Sequence, residues 1–225
     1  MLIEQDTVNL YQDQGVVLVK KIISLNWIKK LKAGIKKNFE NPSQYKCVYE
    51  KKKVNIFHEH VLIKEAGASK RTPWHQDQSY YCVNGFQNIS FWIPLDNIPQ
   101  SSCPEFVINS HKWNQKFIPT KFFGNTYDHI DEEFEKIPDI ENNKEQYDIV
   151  SYDLIPGDAI AFNFATVHGA PGNTTSYRRR AFSARFTGDD ATYIKRKGEM
   201  SPPFPEVKLK NGQPLDCDSF PVISV

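Results

Sequence analysis

The stretch Thr72-Pro73-Trp74-His75-Gln76-Asp77 carries more information about fold and chemistry than any other part of the chain. It places a histidine and a carboxylate two residues apart. Side chains on an extended backbone repeat with period two, so His75 and Asp77 are predicted to point the same way. Imidazole and carboxylate groups are both common ligands of transition metals. The stretch therefore predicts a strand that presents two of the ligands of a metal site.

The sequence around this stretch has the pattern of a protein built mainly from β-strands. From about Val54 onward, short β-branched and aromatic runs alternate with clusters of Pro, Gly, Asn and Asp. Many short strands separated by turns favour an antiparallel sandwich or closed double sheet over a parallel α/β fold. The predicted strands are Val54–Lys64, Ile89–Leu95, Phe106–Ile108, Tyr147–Leu154, Ala159–Asn163 and Arg178–Thr187.

The two ends of the chain differ from this β-rich middle. A short helix is predicted around Leu10, followed by a strand at Val16–Val19 and a helix from Ser24 through Phe39. The long helix has apolar residues every three or four positions and lysines on the other face, which we interpret as a solvated face. The acidic segment 128–138 is expected to be a surface helix or loop. The proline-rich tail, 201–225, is expected to be irregular and to wrap the body or cover a site.

Composition excludes several classes of protein. The chain has 225 residues and a net charge of +1, so nothing in it favours a nucleic acid or a membrane as partner. Its length fits a single domain, 1–225, with a core of roughly 54–190. Four scattered cysteines without a CxxC motif, and no signal peptide, favour a reducing, cytoplasmic location. The oligomeric state is open.

A third metal ligand is available downstream. His168 follows the apolar run Ala159–Phe162 and precedes a glycine, a position from which it can project into the mouth of a barrel. With His75 and Asp77 it would complete the 2-His-1-carboxylate arrangement that binds Fe(II) and leaves positions open for a cosubstrate and O2. His111 is expected to have a structural turn role, and His58 and His129 are expected to be ordinary.

A cation is needed to hold the far carboxylate of a two-oxo diacid, and arginine matches that group best. The run Arg178-Arg179-Arg180 lies about ten residues after His168, which allows one turn and a return strand. Alternation along this strand puts Arg179 and Arg185 on one face, and Arg178 and Arg180 on the face of Phe182. Only one arginine of the three can then face the interior.

These motifs together resemble the phytanoyl-CoA dioxygenase family of Fe(II)- and 2-oxoglutarate-dependent oxygenases. The resemblance extends over nearly the whole chain and rests on five ordered segments. They are Gly15–Leu18, Trp74-His75-Gln76-Asp77, Ser90–Asp96, Asn109-Ser110-His111-Lys112, and Pro156–His168 followed after eleven residues by Arg179. The resemblance implies a mainly β, double-stranded β-helix (jelly roll) fold, with the N-terminal helices packed on the major sheet.

The resemblance also implies roles for individual residues. His75, Asp77 and His168 would bind iron, Arg179 would hold 2-oxoglutarate, and Trp92 and His60 would line the cosubstrate pocket. Ala170 stands where family members often carry a hydroxyl that helps to hold 2-oxoglutarate. Candidate contacts for the substrate are Gln78, Tyr80, Tyr81 and Arg185. Core packing is the alternative for Trp92 and both tyrosines, and a structural salt bridge is the alternative for Arg185.

The expected function is hydroxylation of a small molecule with release of succinate and CO2. Asp77 argues against halogenation, because related halogenases lack that carboxylate and bind halide in its place. Two alternatives remain: a metal-binding jelly-roll sensor without turnover, and a sugar-binding sandwich with an incidental His-x-Asp. The substrate class is open between acyl-CoA thioesters, polar metabolites and natural products.

Overall fold

The structure is a computed structural model. It describes residues 3–40, 54–120, 133–198 and 200–222, with the side chains of 35–40 left out. Helix α1 spans Gln5–Gln14 and helix α2 spans Leu25–Glu40. Helix α1 ends at Gly15, whose φ of 76° lies in the left-handed region that glycine adopts without strain. A Cβ at Gly15 would lie 2.3 Å from Nδ1 of His111, so the close approach of that ring also requires glycine.

Eleven strands are present in the described part of the chain. In chain order they are β1 Val16–Val19, β2 Asn55–Lys64, β3 Thr72–His75, β4 Val83–Asn84, β5 Asn88–Pro94, β6 Glu105–Val107, β7 Ile149–Val150, β8 Ala159–Phe162, β9 His168–Ala170, β10 Arg179–Thr187 and β11 Thr192–Tyr193. They form a five-stranded major sheet in the order β1-β8-β5-β10-β2 and a four-stranded minor sheet in the order β3-β9-β6-β7. The short strands β11 and β4 pair separately.

Both large sheets are antiparallel, and their apolar inner faces pack together. Phe106 of the minor sheet lies against Phe162 of the major sheet, with ring centroids 5.0 Å apart. On the other face of the major sheet, Ile28 of α2 packs with Ile93 and Ala159. The jelly roll predicted from the sequence is confirmed, with helix α2 on the outer face of its major sheet.

The predicted elements agree with the structure in most places. The bounds of β1 are as predicted, and those of β2, β5, β8 and β10 are within one residue of prediction. The strand predicted at Tyr147–Leu154 is wrong in length. Only Ile149–Val150 is a strand, because the chain then leaves β6, and Leu154 instead makes an isolated bridge with Ile98.

The remaining predictions concern the loops. The described part of the acidic segment, 133–138, is a loop, and 128–132, with His129, lie outside the described residues. The tail from 200 to 222 is irregular and packs Phe220 and Leu215 into the core beside Phe57. Within the described residues, no helix has the length and apolarity required to cross a bilayer. The assignment of the whole chain to one domain stays a prediction.

Candidate metal centre and its cavity

The two histidines of the predicted metal site are direct neighbours across the minor sheet. His75 on β3 and His168 on β9 are register partners. Their Nδ1 atoms lie 2.8 Å from the Pro73 carbonyl oxygen and 3.0 Å from the Thr166 carbonyl oxygen. With Nδ1–H donated to a carbonyl, Nε2 of each ring carries the lone pair that a metal needs. Backbone carbonyls two residues before each histidine thus fix both the orientation and the tautomer of the two imidazoles.

Asp77 reaches the same point by a route that the sequence did not indicate. The prediction of an extended backbone through Asp77 is wrong: strand β3 ends at His75, and Asp77 has φ −63° and ψ −38°. The chain turns there into a short 3₁₀ helix, Gln78–Tyr80. This turn brings Oδ1 of Asp77 to 3.7 Å from Nε2 of His75 and 3.8 Å from Nε2 of His168.

The two oxygens of the Asp77 carboxylate have different surroundings. Oδ2 accepts hydrogen bonds from Oγ of Ser90 at 3.4 Å and from Nε of Arg185 at 3.2 Å. Oδ1 faces the two Nε2 atoms. Because Oδ2 is held by the major sheet, Oδ1 is the oxygen left for a metal.

The ionisation states suit metal binding. Burial lowers the pKa of His168 to about 4, with a further contribution from the neighbouring His75. Burial alone would raise the pKa of Asp77, but the positive charge of Arg185, together with the interactions with His75 and His168, outweighs burial and holds the pKa well below its usual value. At neutral pH the site therefore presents neutral imidazole at His168 and an anionic carboxylate, which are the forms that bind metals.

The donor set fits iron. One ligand atom from each of His75, Asp77 and His168 lies within 4.8 Å of the others, and this is the one such group among the described residues. Two imidazoles and one carboxylate without a thiolate form the facial arrangement of non-haem Fe(II) oxygenases.

A cavity of about 570 Å³ opens over this site, and the inner face of the major sheet lines one side of it in cross-strand rows. One row pairs Arg179 with Lys64, and the last row runs Ser90, Arg185, His58. Between them lies the row Trp92, Ser183, His60. Residues 201–203 of the tail also line the cavity, so the tail both packs in the core and reaches the site.

Arg179 lies at one end of the cavity and is nearly buried, with 6% of its surface exposed. Its Nη1 donates to the Ser102 carbonyl, and its guanidinium carbon lies 5.9 Å from the Trp92 ring centroid. Arg178 and Arg180 are on the opposite face, paired with Glu65 and Asp96. The structure therefore separates the three arginines as the alternation predicted.

Lys64, the register partner of Arg179, was not singled out from the sequence. Its ammonium group donates to the carbonyls of Lys70, Ala170 and Pro171. Burial, with the nearby charges of Arg179 and Arg71, lowers the pKa of Lys64 to about 8. A second cation therefore lies beside Arg179, although backbone oxygens already engage it.

Thr72 and Ser102 are two hydroxyl-bearing residues in the surroundings of Ala170 and Arg179. Thr72 lines the cavity as the register partner of Ala170. Ser102 orients Arg179 through its carbonyl, and its hydroxyl lies 3.1 Å from that of Thr174. Ala170 itself offers no polar group, so positioning of Arg179 rests on the Ser102 backbone.

Four other residues predicted to belong to the site also line the cavity. They are Trp92, His60, Tyr80 and Tyr81. The Tyr80 hydroxyl donates to the Thr120 carbonyl, and Tyr81 packs in the core with its ring 5.5 Å from the Arg185 guanidinium carbon.

The positions of Gln78, His111 and His58 differ in how far they agree with the predictions. Gln78 donates its amide to the Gly85 carbonyl and is outside the cavity lining. His111 lies in a 3₁₀ turn against Gly15, as expected of a structural role. His58, by contrast, lines the cavity. Side chains alternate along the predicted strand, so His58 shares the face of His60, and this pattern could have predicted that His58 faces the cavity.

A jelly roll that presents two histidines and one carboxylate to a cavity is the arrangement of a class of protein, the non-haem iron enzymes of cupin type. The model of the family described as phytanoyl-CoA dioxygenase (PhyH) matches residues 37–181, and the chain belongs to this family. Family membership and a donor set that fits iron identify iron and 2-oxoglutarate as the cofactor and cosubstrate of the site. No curated protein sequence shows a significant match to the chain.

Solved structures support the fold over the full length of the chain. The non-haem α-ketoglutarate-dependent carbocyclase SnoK from nogalamycin biosynthesis has a TM-score of 0.74 and 17% identity, covering 99% of this chain and 97% of its own. The epimerase SnoN from the same biosynthesis has a TM-score of 0.72 and 20% identity, covering 98% of each chain. EctD from S. alaskensis, with 2-oxoglutarate and 5-hydroxyectoine, has a TM-score of 0.64 and 15% identity, covering 94% of this chain and 85% of its own.

Proposed function

We propose that this protein is a non-haem Fe(II)- and 2-oxoglutarate-dependent dioxygenase that hydroxylates a small-molecule substrate and releases succinate and CO2. The observation that carries the proposal is the convergence of His75, Asp77 and His168 at one point of a cavity that also contains a buried arginine, Arg179. This combination supplies both the metal ligands and an anchor for a dicarboxylate.

In the proposed reaction, iron with bound 2-oxoglutarate and O2 supplies the oxidising chemistry. The chain supplies position and charge. His75, Asp77 and His168 would hold the metal, and a set of three protein ligands would leave room for small molecules to bind it. Ser90 and Arg185 hold the second oxygen of Asp77, which keeps Oδ1 directed at the metal and the carboxylate ionised at neutral pH.

Arg179 is proposed to hold the distal carboxylate of 2-oxoglutarate, with Trp92 and His60 as cavity walls. The choice of Arg179 over Arg185 follows from position. Arg185 contacts the metal ligand Asp77 directly, whereas Arg179 lies six residues away on the same strand and makes no contact with Asp77. The distal carboxylate of a diacid that chelates the metal needs a cation that is not already paired with a metal ligand, and Arg179 meets that requirement.

The remaining cavity surface is proposed to bind the substrate. Tyr80, Tyr81 and Arg185 line it close to Asp77, and the proposal that Gln78 contributes stays a prediction, since its amide is engaged elsewhere. Solved neighbours are described with small molecules, nogalamycin RO for SnoN and 5-hydroxyectoine for EctD, and a small molecule fits this cavity too. A cytoplasmic location is also proposed, and it is supported by the cysteines of the described residues, Cys82, Cys103 and Cys217, which are all free.

The test is succinate formation. Protein reconstituted anaerobically with Fe(II) is supplied with 2-oxoglutarate and then O2, with and without a broad panel of small molecules, and succinate is measured. We expect slow uncoupled turnover that rises with a suitable substrate. A folded, iron-loaded protein that forms no succinate under any of these conditions would contradict the proposal and favour a sensor or binding protein.

A further inference from the structure

Arg185 has hydrogen-bonding capacity that the metal site does not use. Its side chain is 6% exposed and lines the cavity. Nε donates to Asp77, but Nη1 is buried without a hydrogen-bond partner among the described residues. Leaving a charged donor buried and unpaired costs free energy, and native proteins rarely do so. The unmatched donor points to a ligand group.

His58 lies beside this donor. It is the register partner of Arg185 on β2 and lines the same cavity, and no hydrogen bond within the described residues involves its imidazole. Burial and then the charge of Arg185 lower the pKa of His58 to about 3. The ring is therefore neutral at pH 7 and offers one N–H donor without adding a second charge.

The charges of the cavity favour an anion. Its described lining contains three cations, Lys64, Arg179 and Arg185, and a single acid, Asp77. Bound Fe(II) and the 2-oxoglutarate dianion cancel each other. The loaded cavity therefore keeps a net positive charge, which attracts an anionic ligand and disfavours a cationic one.

The distal carboxylate of the cosubstrate does not account for the unmatched donor. Its distal carboxylate is assigned to Arg179, which lies at the other end of β10. Arg185 and His58 occupy the end next to Asp77, where the molecule to be oxidised must approach the metal.

We propose that Arg185 and His58 bind a carboxylate group of the primary substrate, so that the enzyme acts on a small organic acid. This inference rests on the proposed function, because it takes the cavity to be an oxygenase site.

The test compares acids with their primary amides on the loaded protein. Protein carrying Fe(II) and 2-oxoglutarate is kept anaerobic and titrated by calorimetry with acetate, benzoate and phenylacetate, and with acetamide, benzamide and phenylacetamide. We expect at least one acid to bind about tenfold or more tightly than its amide, as a charge-assisted hydrogen bond predicts. His58→Phe and Arg185→Lys should reduce that preference several-fold. Arg178→Lys, an exposed arginine paired with Glu65, serves as the matched control and should leave it unchanged.

Three outcomes would overturn the inference. Acids and amides could bind equally, no acid could bind at up to about 10 mM, or Arg185→Lys could weaken 2-oxoglutarate binding while the acid preference persists. The same titrations measure the stoichiometry of iron and 2-oxoglutarate first. If those two fail to bind, the proposed function fails and the inference falls with it; if they bind normally, a missing acid preference rejects the inference alone.

Discussion

The two sheets of the jelly roll make different contributions to the site. The minor sheet contributes both imidazoles, and the backbone carbonyls of Pro73 and Thr166 fix their orientation. The major sheet contributes the charged groups, with Arg179 at one end of β10 and Arg185 at the other. Asp77 joins the two, since one of its oxygens faces the histidines and the other is held from the major sheet. The histidines proposed to bind the metal and the arginines proposed to bind anions thus belong to different walls of the cavity, and separate variants can test the two roles.

Removing the carboxylate that joins the walls is expected to have the largest effect. Asp77→Ala deletes one of three ligands and should abolish stoichiometric iron binding, measured by anaerobic dialysis and metal analysis. Because the variant also leaves Arg185 unpaired, Asp77→Asn is a milder second variant with the same expected direction. Asp96→Ala, at an acid paired with Arg180 on the outer face, is the control. Wild-type iron affinity in both Asp77 variants would refute the assignment.

The Arg179→Gln variant should separate the contributions of the two walls of the cavity. It removes the cation at the far end of β10 and leaves the histidines untouched, so iron should bind as before while the dissociation constant for 2-oxoglutarate rises about 100-fold. Anaerobic titration of the iron-loaded protein with 2-oxoglutarate measures this. The control is Arg178→Gln, the exposed neighbour on the opposite face. Equal affinities in the two variants would show that another cation, Lys64 foremost, is the anchor.

The pH dependence of the free energy of unfolding should reveal whether His58, on the major sheet, is buried. The pKa of His58 is lowered to about 3 in the folded protein, below its usual 6.5. Between these values only the unfolded state is protonated, so the folded state loses stability as pH falls through this window. Without metal, wild type should lose about 1–3 kcal/mol more than His58→Phe between about pH 7 and about pH 4.5, from urea unfolding. Equal losses would mean that His58 is exposed to water.

The smallest expected effect is that of Ser90→Ala. Ser90 provides one of two hydrogen bonds to Oδ2 of Asp77, and it is long at 3.4 Å while the bond from Arg185 remains. Iron affinity should fall about threefold to tenfold. Ser183→Ala is a well-matched control, because the buried Ser183 hydroxyl has no hydrogen-bond partner among the described residues. If Ser183→Ala loses as much iron affinity as Ser90→Ala, then changed packing, and not the lost hydrogen bond, explains the effect of Ser90→Ala.

The parts of the site that depend on the alternation of side chains along one strand can be predicted from the sequence. The separation of Arg179 from Arg178 and Arg180 follows from the period of two along a strand, and the structure shows that separation. His58 could have been found by the same rule applied to β2. Lys64 could not, because its place beside Arg179 depends on the register between β2 and β10, which are more than a hundred residues apart.

By itself the sequence predicted the class of fold, the family and the three residues that could hold a metal, because the order and spacing of motifs along the chain can be read without the tertiary structure. Only the tertiary structure decided how Asp77 is used. Its position depends on a turn after β3, and its two oxygens are distinguished by Ser90 and Arg185 from the other sheet. Which oxygen faces the metal, and which arginine donor is left unmatched, are set by long-range packing between sheets. The stretch Thr72–Asp77 alone contains no information about either.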